Sequence, residues 1–205
     1  MKRKGFFITF EGGEGAGKST QIQHACTYLK KLGKKAVLLR EPGSTSIGEK
    51  IRQVLLDSQN QKMCVETELF LYLAARAQLV REMILPELAK GSVVVCDRFE
   101  DSTLAYQGHG GGISLDLLKK VSVLARGTLT PNLTFFLDLN PKEGLKRAGR
   151  RDRMEQKSIQ FHEKLHQGYL LLARQNLKRI IVLDATESIS EIQKKIEKEL
   201  SHALA

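Results

Sequence analysis

A glycine-rich stretch between residues 12 and 20 has the residue types and spacing that bind the phosphates of a nucleoside triphosphate. Its pattern is G-x-x-x-x-G-K-[ST], and it lies between a predicted strand and a predicted helix, which disfavours an ordinary glycine-rich turn. Glycines let the backbone point N–H groups at phosphate oxygens, and the helix would present the positive end of its dipole. Lys18 is placed to reach the β- and γ-phosphates, and the Ser19 hydroxyl to bind Mg²⁺. The predicted triphosphate-binding residues are Gly12, Gly13, Glu14, Gly15, Ala16, Gly17, Lys18, Ser19 and Thr20.

An aspartate and an arginine follow a later apolar run. Asp97 and Arg98 come directly after Val93–Cys96. A carboxylate at the end of a strand beside the phosphate loop suits Mg²⁺ or its water shell, and a guanidinium can grip two oxygens of a transferring phosphate. A salt bridge at the strand end is the alternative. We predict Ser19 and Asp97 as metal ligands and Arg98 as a phosphate-binding residue.

Tyr72 and Arg76 form a second candidate pair. Their i, i+4 spacing places them on one face of a predicted helix. A ring and a guanidinium on one face could stack on a nucleobase and hydrogen-bond to its edge. Taken alone, an aromatic residue on an amphipathic helix more often belongs to the core.

Four arginines occur within seven residues, at positions 147, 150, 151 and 153. A solvated basic turn or a nucleic-acid patch would explain them equally well in isolation. Because a phosphate loop is present, we favour a lid over about residues 147–155 that closes on polyphosphate and supplies positive charge.

The elements that position these residues alternate between strand and helix. The apolar runs are short and apolar on both faces, as in buried parallel strands, so they predict an α/β fold with a five-stranded parallel sheet flanked by helices. Predicted loops are Gly108–Gly112 and Gly149–Arg153. Predicted strands are Gly5–Phe10, Ala36–Leu39, Val93–Cys96, Leu133–Leu137 and Ile180–Leu183. Predicted helices are Lys18–Leu32, Ser46–Leu56, Thr67–Ala89, Leu115–Ala125, Glu155–Leu177 and Ser188–Leu200.

Length and composition limit the class of protein. The 205 residues are 41% hydrophobic, which suits one α/β domain over residues 1–205. The net charge of +10 implies acidic partners, whether nucleic acid, anionic membrane or phosphorylated small molecules. The run Phe6–Phe10 is too short for a signal peptide, and no window approaches a membrane span. Cys26, Cys64 and Cys96 have no metal-binding spacing, so we expect a cytoplasmic protein with no membrane partner.

Longer motifs resemble the thymidylate kinase family. The matching stretches are FEGGEGAGKST at 10–20, REPG at 40–43, DRFEDSTLAYQG at 97–108, TPNLTFFLDL at 130–139, DRMEQKSIQFHEKLHQGY at 152–169 and LDAT at 183–186. They run nearly end to end, and the string DR-x-x-D-S-x-x-A-Y-Q-G is far more specific than the phosphate loop. The resemblance implies a nucleoside monophosphate kinase fold with a short lid. It is closest to the bacterial form, in which lid arginines supply the catalytic cation.

The resemblance also implies residue roles. Tyr72 stands where the family usually stacks phenylalanine on thymine, and the lid is a few residues shorter than in many relatives. Gly111 stands where an arginine is common. The implied catalytic residues are Lys18, Arg98, Arg150, Arg151 and Arg153, with Arg147 as a less certain companion. The implied substrate-binding residues are Glu14, Glu41, Pro42, Arg52, Tyr72, Arg76, Arg98, Ser102, Thr103, Tyr106 and Gln107.

The implied activity is phosphorylation of dTMP to dTDP with ATP and Mg²⁺, supplying dTTP synthesis for DNA replication. A kinase for another pyrimidine monophosphate or for a deoxynucleoside is the nearest alternative. A non-catalytic phosphate-loop switch or a nucleic-acid-binding protein is disfavoured, because the basic residues cluster at loops around the presumed site with few interleaved aromatics. Relatives are homodimers, so we also expect a homodimer without a nucleic-acid partner.

Two further motifs are discounted. His162–His166 matches H-E-x-x-H, a zinc-binding pattern, but it coincides with the family's FH-x-x-x-x-x-GY helix. His109–Gly112 resembles an esterase oxyanion loop, yet the sequence has no G-x-S-x-G.

Overall fold

The computed structural model describes residues 5–149 and 152–204, and its centre is a five-stranded parallel sheet. The strand order is β2-β3-β1-β4-β5. Phe10 of β1 pairs with Asp97 of β3, and Gly12 pairs with Leu137 of β4, so the carboxyl ends of three strands meet at one edge. The predicted five-stranded parallel sheet is confirmed. The strands are β1 Phe6–Gly12, β2 Ala36–Arg40, β3 Val93–Asp97, β4 Leu133–Asp138 and β5 Ile180–Asp184.

Helices cover both faces of the sheet. Alternate residues of β1 enter different cores: Phe10 packs with Phe135 and Leu29, whereas Phe7 packs with Phe99 and Leu79. In the described part of the chain, no helix is long and apolar enough to cross a membrane. The helices are α1 Lys18–Lys31, α2 Ser46–Leu56, α3 Val65–Leu79, α4 Leu85–Ala89, α5 Glu100–Thr103, α6 Leu115–Arg126, α7 Pro141–Ala148, α8 Ile159–Gln175 and α9 Ile189–Leu204.

Two π-helical segments extend this set. Val80–Ile84 joins α3 to α4, so the single predicted helix over 67–89 is interrupted. Leu104–Gly110 continues α5, so the predicted loop at 108–112 is wrong for its first three residues. The reason is close packing: a Cβ at Gly108 would lie 2.6 Å from Leu115, and one at Gly110 would lie 2.6 Å from Phe161.

The boundaries around the predicted lid also differ from expectation. Arg147, predicted to be in the lid, lies in the last turn of α7. Helix α8 begins at Ile159 and not at Glu155, because the Ser158 side chain caps it by accepting a hydrogen bond from the Phe161 N–H. Before that cap, Asp152 accepts hydrogen bonds from the backbone N–H groups of the next residues, which forms a turn.

Candidate nucleotide-binding site

The glycine-rich loop leaves β1 with the backbone that the sequence requires. Gly12, Gly15 and Gly17 have φ values of 148°, 66° and 88°, a region that residues with a Cβ rarely adopt. The Lys18 ammonium donates to the carbonyl oxygens of Gly12 and Gly13 at 3.2 and 3.0 Å. The loop therefore wraps around the start of α1.

Helix α7 packs directly on this loop through two glycines. A Cβ on Gly15 would lie 2.1 Å from the Gly144 carbonyl oxygen, and one on Gly144 would lie 2.2 Å from the Glu14 carbonyl oxygen. Only glycine at both positions permits this approach. The loop and α7 therefore form one packed unit.

Arg98 connects the loop to the end of β3. Its Nη1 donates to the Gly12 carbonyl at 2.8 Å, and its Nη2 lies 3.1 Å from Glu14 Oε1. Glu14 also accepts a hydrogen bond from the Tyr106 hydroxyl. Burial works against the ionised form of Glu14, but Arg98 and Lys18 outweigh it and lower its pKa to about 2. Glu14 is thus a carboxylate at neutral pH.

One pocket beside the loop contains every residue that the sequence implied for the acceptor. All eleven implied substrate-binding residues line this pocket, among them Glu14, Arg98 and Gln107. The structure adds Leu56, Phe99, Asp152 and Met154 to its wall. These four were missed by sequence reasoning because they carry no distinctive pattern.

Arg76 lies in that pocket as half of a buried ion pair. Its Nε donates to Glu41 at 2.9 Å and its Nη2 donates to the same carboxylate at 2.6 Å. The guanidinium also lies 5.0 Å from the Phe99 ring centre. In the described residues, its Nη1 is buried without a hydrogen-bond partner. In this structure the carboxylate of Glu41, one of the implied substrate-binding residues, therefore holds Arg76.

The thymidylate kinase family profile matches residues 10–196 of this chain. The chain belongs to the thymidylate kinase family. A thymidylate kinase from Deinococcus radiodurans is 46% identical over 198 residues, covering 94% of this chain and 95% of that protein. One from Symbiobacterium thermophilum is 46% identical over 200 residues, covering 97% and 94% respectively. A crystal structure of the Ehrlichia chaffeensis thymidylate kinase superposes with a TM-score of 0.79 at 32% identity, covering 96% and 98% of the two chains.

These similarities confirm the predicted family, enzyme class and fold. The chain is a thymidylate kinase homologue with the phosphate-loop nucleoside monophosphate kinase fold, and the family's phosphoryl donor is ATP. The roles of individual residues rest on the geometry of the site.

The arginines of the predicted lid separate into two groups. Arg147 lines the cleft that also contains Lys18, Ser19, Asp97 and Arg98. Arg153 points elsewhere. Its Nη1 lies 2.7 Å from Glu68, and its Nε donates to the Leu55 carbonyl at 2.7 Å. Arg150 and Arg151 lie outside the described residues.

A buried carboxylate under Arg98 was missed by sequence reasoning. Glu11 accepts hydrogen bonds from the Phe99 N–H at 2.8 Å, the Ser102 hydroxyl at 2.6 Å and the Tyr169 hydroxyl at 3.1 Å. Burial raises its pKa to about 8, and Asp101 acts in the same direction. The only signal in the sequence was a charged residue at the end of an apolar strand. Glu11 fixes the turn in which Arg98 adopts a left-handed φ of 70°.

The histidines of the H-E-x-x-H motif have separate surroundings. His162 is buried in α8, whereas the His166 ring nitrogen lies 2.5 Å from Asp138 at the end of β4. The two histidine side chains therefore have different environments.

Proposed function

We propose that this chain transfers the γ-phosphoryl group of ATP to dTMP, forming dTDP and ADP, with Mg²⁺ bound at the phosphates. The observation that carries the proposal is one pocket, lined by all eleven implied acceptor residues, that shares Glu14 and Arg98 with the phosphate cleft. Two phosphorylated ligands would therefore meet at Arg98.

The phosphate cleft fits Mg²⁺. Asp97 ends β3 beside the loop, and in the described residues its Oδ1 is buried without a hydrogen-bond partner. Ser19 lies in the same cleft and offers a hydroxyl. Two oxygen donors suit Mg²⁺, which keeps several waters and binds phosphates directly. Ser19 and Asp97 would hold the ion, which when bound neutralises phosphate charge.

The acceptor pocket fits a thymine nucleotide. Tyr72 supplies a ring face for the base, and the free Arg76 Nη1 can donate to a carbonyl oxygen at its edge. Tyr106, held by Glu14, adds bulk on the sugar side and so disfavours a ribose 2′-hydroxyl. Arg52, whose Nη1 donates to the Pro42 carbonyl at 2.9 Å, faces the acceptor phosphate together with Arg98.

The chemistry needs positioning more than a base. A dTMP phosphate oxygen is already anionic, so it attacks the γ-phosphorus directly while the bond to the β-phosphate oxygen breaks and ADP leaves. Lys18 and Arg98 would hold donor and acceptor in line. Arg147 faces the same cleft, and we assign it to the lid cations with Arg150 and Arg151.

The test is ADP release coupled to each acceptor. We expect turnover with dTMP far above that with dUMP, dCMP, UMP or thymidine. Arg98→Ala should lower kcat by about 10³-fold or more at saturating dTMP, because a transition-state cation is lost. Near-normal turnover by that variant would contradict the assignment of Arg98, and preference for another acceptor would identify a different kinase.

We also propose that the chain is one domain and acts in the cytoplasm as a homodimer. Supporting a dimer, Phe70 of α3 and Leu124 of α6 expose 63% and 86% of their surface, and these two helices pack against each other. The described residues hold no disulfide, which suits a reducing compartment. Light scattering of the wild type and of Phe70→Asp tests the dimer: we expect twice the chain mass for the first and a lower mass for the second.

A further inference from the structure

A buried carboxylate behind the acceptor pocket has one hydrogen bond and two ion-pair contacts, from three parts of the chain. Glu68 of α3 is 1% exposed. Its Oε1 accepts a hydrogen bond from Gln107 Nε2 at 2.7 Å. Its Oε2 lies 2.7 Å from Arg153 Nη1 and 3.3 Å from Lys157 Nζ. The two oxygens therefore have different partners, an amide on one side and two cations on the other.

The first contact fixes which way the Gln107 amide faces. A carboxylate between two cations is ionised and can only accept hydrogen bonds. The NH₂ group of Gln107 must therefore point at Glu68. Gln107 also lines the acceptor pocket, so the polar atom that it offers to a ligand is its carbonyl oxygen, an acceptor.

Among the polar groups that line the pocket, one donor and one acceptor suit the edge of a pyrimidine. The donor is Arg76 Nη1, and the acceptor is Gln107 Oε1. The 3,4-edge of thymine has the complementary pair, an accepting O4 and a donating N3–H. Cytosine reverses both groups, since its N4 donates and its N3 accepts. The polarity of the Gln107 amide thus bears directly on the choice between these bases.

We propose that Glu68 is a positioning residue that sets pyrimidine discrimination by fixing the orientation of Gln107, and that Arg153 and Lys157 are two cations either of which keeps Oε2 of Glu68 on their side. The proposal rests on the function proposed above. It gives Arg153 a role through Glu68 and not on the transferring phosphoryl group. Arg153 is suited to this role because it is itself anchored, its Nε and N donating to the carbonyl oxygens of Leu55 and Leu56 at 2.7 and 3.2 Å.

The decisive variant is Glu68→Gln. The new amide oxygen stays on the side of Arg153 and Lys157, because the partly positive NH₂ group of an amide is repelled by two cations. The new NH₂ group then faces Gln107, which must turn its own carbonyl toward it and its NH₂ into the pocket. We expect the ratio of kcat/KM for dTMP to that for dCMP to fall by at least ~10-fold, because a site with the wrong hydrogen-bond polarity rejects its ligand.

Arg153→Met is the matched control. It removes the other half of the ion pair but leaves Glu68 ionised beside Lys157, so the dTMP to dCMP ratio should stay within about threefold of the wild type. Thermal unfolding checks that both variants fold. If Glu68→Gln does not fold, the double variant with Arg153→Met removes both buried charges, keeps Lys157 on the amide oxygen and carries the same expectation.

Distinct results overturn distinct claims. A folded Glu68→Gln enzyme with an unchanged ratio contradicts the role of Glu68. A loss of about 10³-fold in kcat for Arg153→Met, with KM for dTMP unchanged, would instead make Arg153 the phosphoryl-transfer cation. A wild-type enzyme that does not phosphorylate dTMP would refute the proposed function itself, whatever the variants do.

Discussion

At the scale of single residues, burial determines what each charge can do. Arg147 and Arg153 are six positions apart in one basic run, yet the first lines the phosphate cleft and the second is enclosed with Glu68. Nothing local in the sequence separates them, because the partner of Arg153 lies 85 positions away. The phosphate loop could be predicted from its residues, since its chemistry is local. The ion pairs of Arg76 and Arg153 could not be predicted, because the partner of each arginine is distant in the sequence.

Glu11 predicts a pH-dependent contribution to stability. Its pKa is about 8 in the folded protein against 4.5 ordinarily, so the folded state binds the proton more tightly than the unfolded state. The contribution of Glu11 to the free energy of unfolding is therefore fully present below pH 4.5 and is lost as pH rises through about 8. Glu11→Gln keeps a neutral acceptor, so its unfolding free energy relative to wild type should increase over this range, by up to a few kcal/mol.

Urea unfolding of both proteins at a series of pH values measures this difference. A folded-state pKa at or below the ordinary 4.5 would give no increase in this difference above that pH, and that result would contradict the assignment. The exposed Glu143→Gln serves as a control because its environment is solvent.

At the scale of elements, the sheet could be predicted from the sequence, but helices α5 and α7 could not. The strands are apolar on both faces, which identifies buried parallel strands directly. The segment from Glu100 to Gly110 lacks a polar face because nearly all of it is buried. Three of its polar side chains, Ser102, Gln107 and Asp101, are paired with Glu11, Glu68 and Arg179 respectively. Helix α7 is only eight residues long, too short for a clear periodic pattern.

The contact between α7 and the phosphate loop predicts a severe effect of one methyl group. Gly144→Ala would place a Cβ 2.2 Å from the Glu14 carbonyl oxygen, so the loop or the helix must move. We expect destabilisation of ~1–3 kcal/mol and at least a tenfold higher KM for ATP. Lys146→Ala on the exposed side of the same helix should change neither quantity appreciably. Unaltered ATP kinetics in Gly144→Ala would show that the loop tolerates the shift.

At the scale of the whole molecule, the net charge of +10 gives the protein a positive field. The described lining of the phosphate cleft has five basic and five acidic residues, so the surplus belongs to the protein as a whole and not to this cleft. Such a field draws anions toward the protein, and salt screens it over about 8–10 Å at physiological ionic strength. The charge alone left nucleic acid, membrane and small molecules open, and it was the spacing of the motifs that favoured nucleotides.

This arrangement predicts salt-sensitive substrate capture. Raising NaCl from about 20 to 200 mM should increase KM for dTMP several-fold and leave kcat nearly constant, because screening weakens attraction over distance more than contacts inside a closed site. Steady-state kinetics at constant free Mg²⁺ measures it. A kcat that falls while KM stays fixed would place the electrostatic effect on the chemical step instead.

The hydrogen bonds from Arg153 to Leu55 and Leu56 have a consequence for α2. Carbonyl groups in the last turn of a helix lack partners within the helix and carry the negative end of its dipole. Arg153 supplies both donors and a positive charge there, 98 positions away along the chain from Leu55. Arg153→Met removes the Nε donor and the positive charge but keeps the backbone N–H bonded to Leu56, so the last turn of α2 should fray in part. Amide hydrogen exchange in that turn should then be faster in Arg153→Met than in the wild type. Arg52, which we propose to face the acceptor phosphate, lies one turn earlier, so the order of that turn would affect how firmly the acceptor is bound.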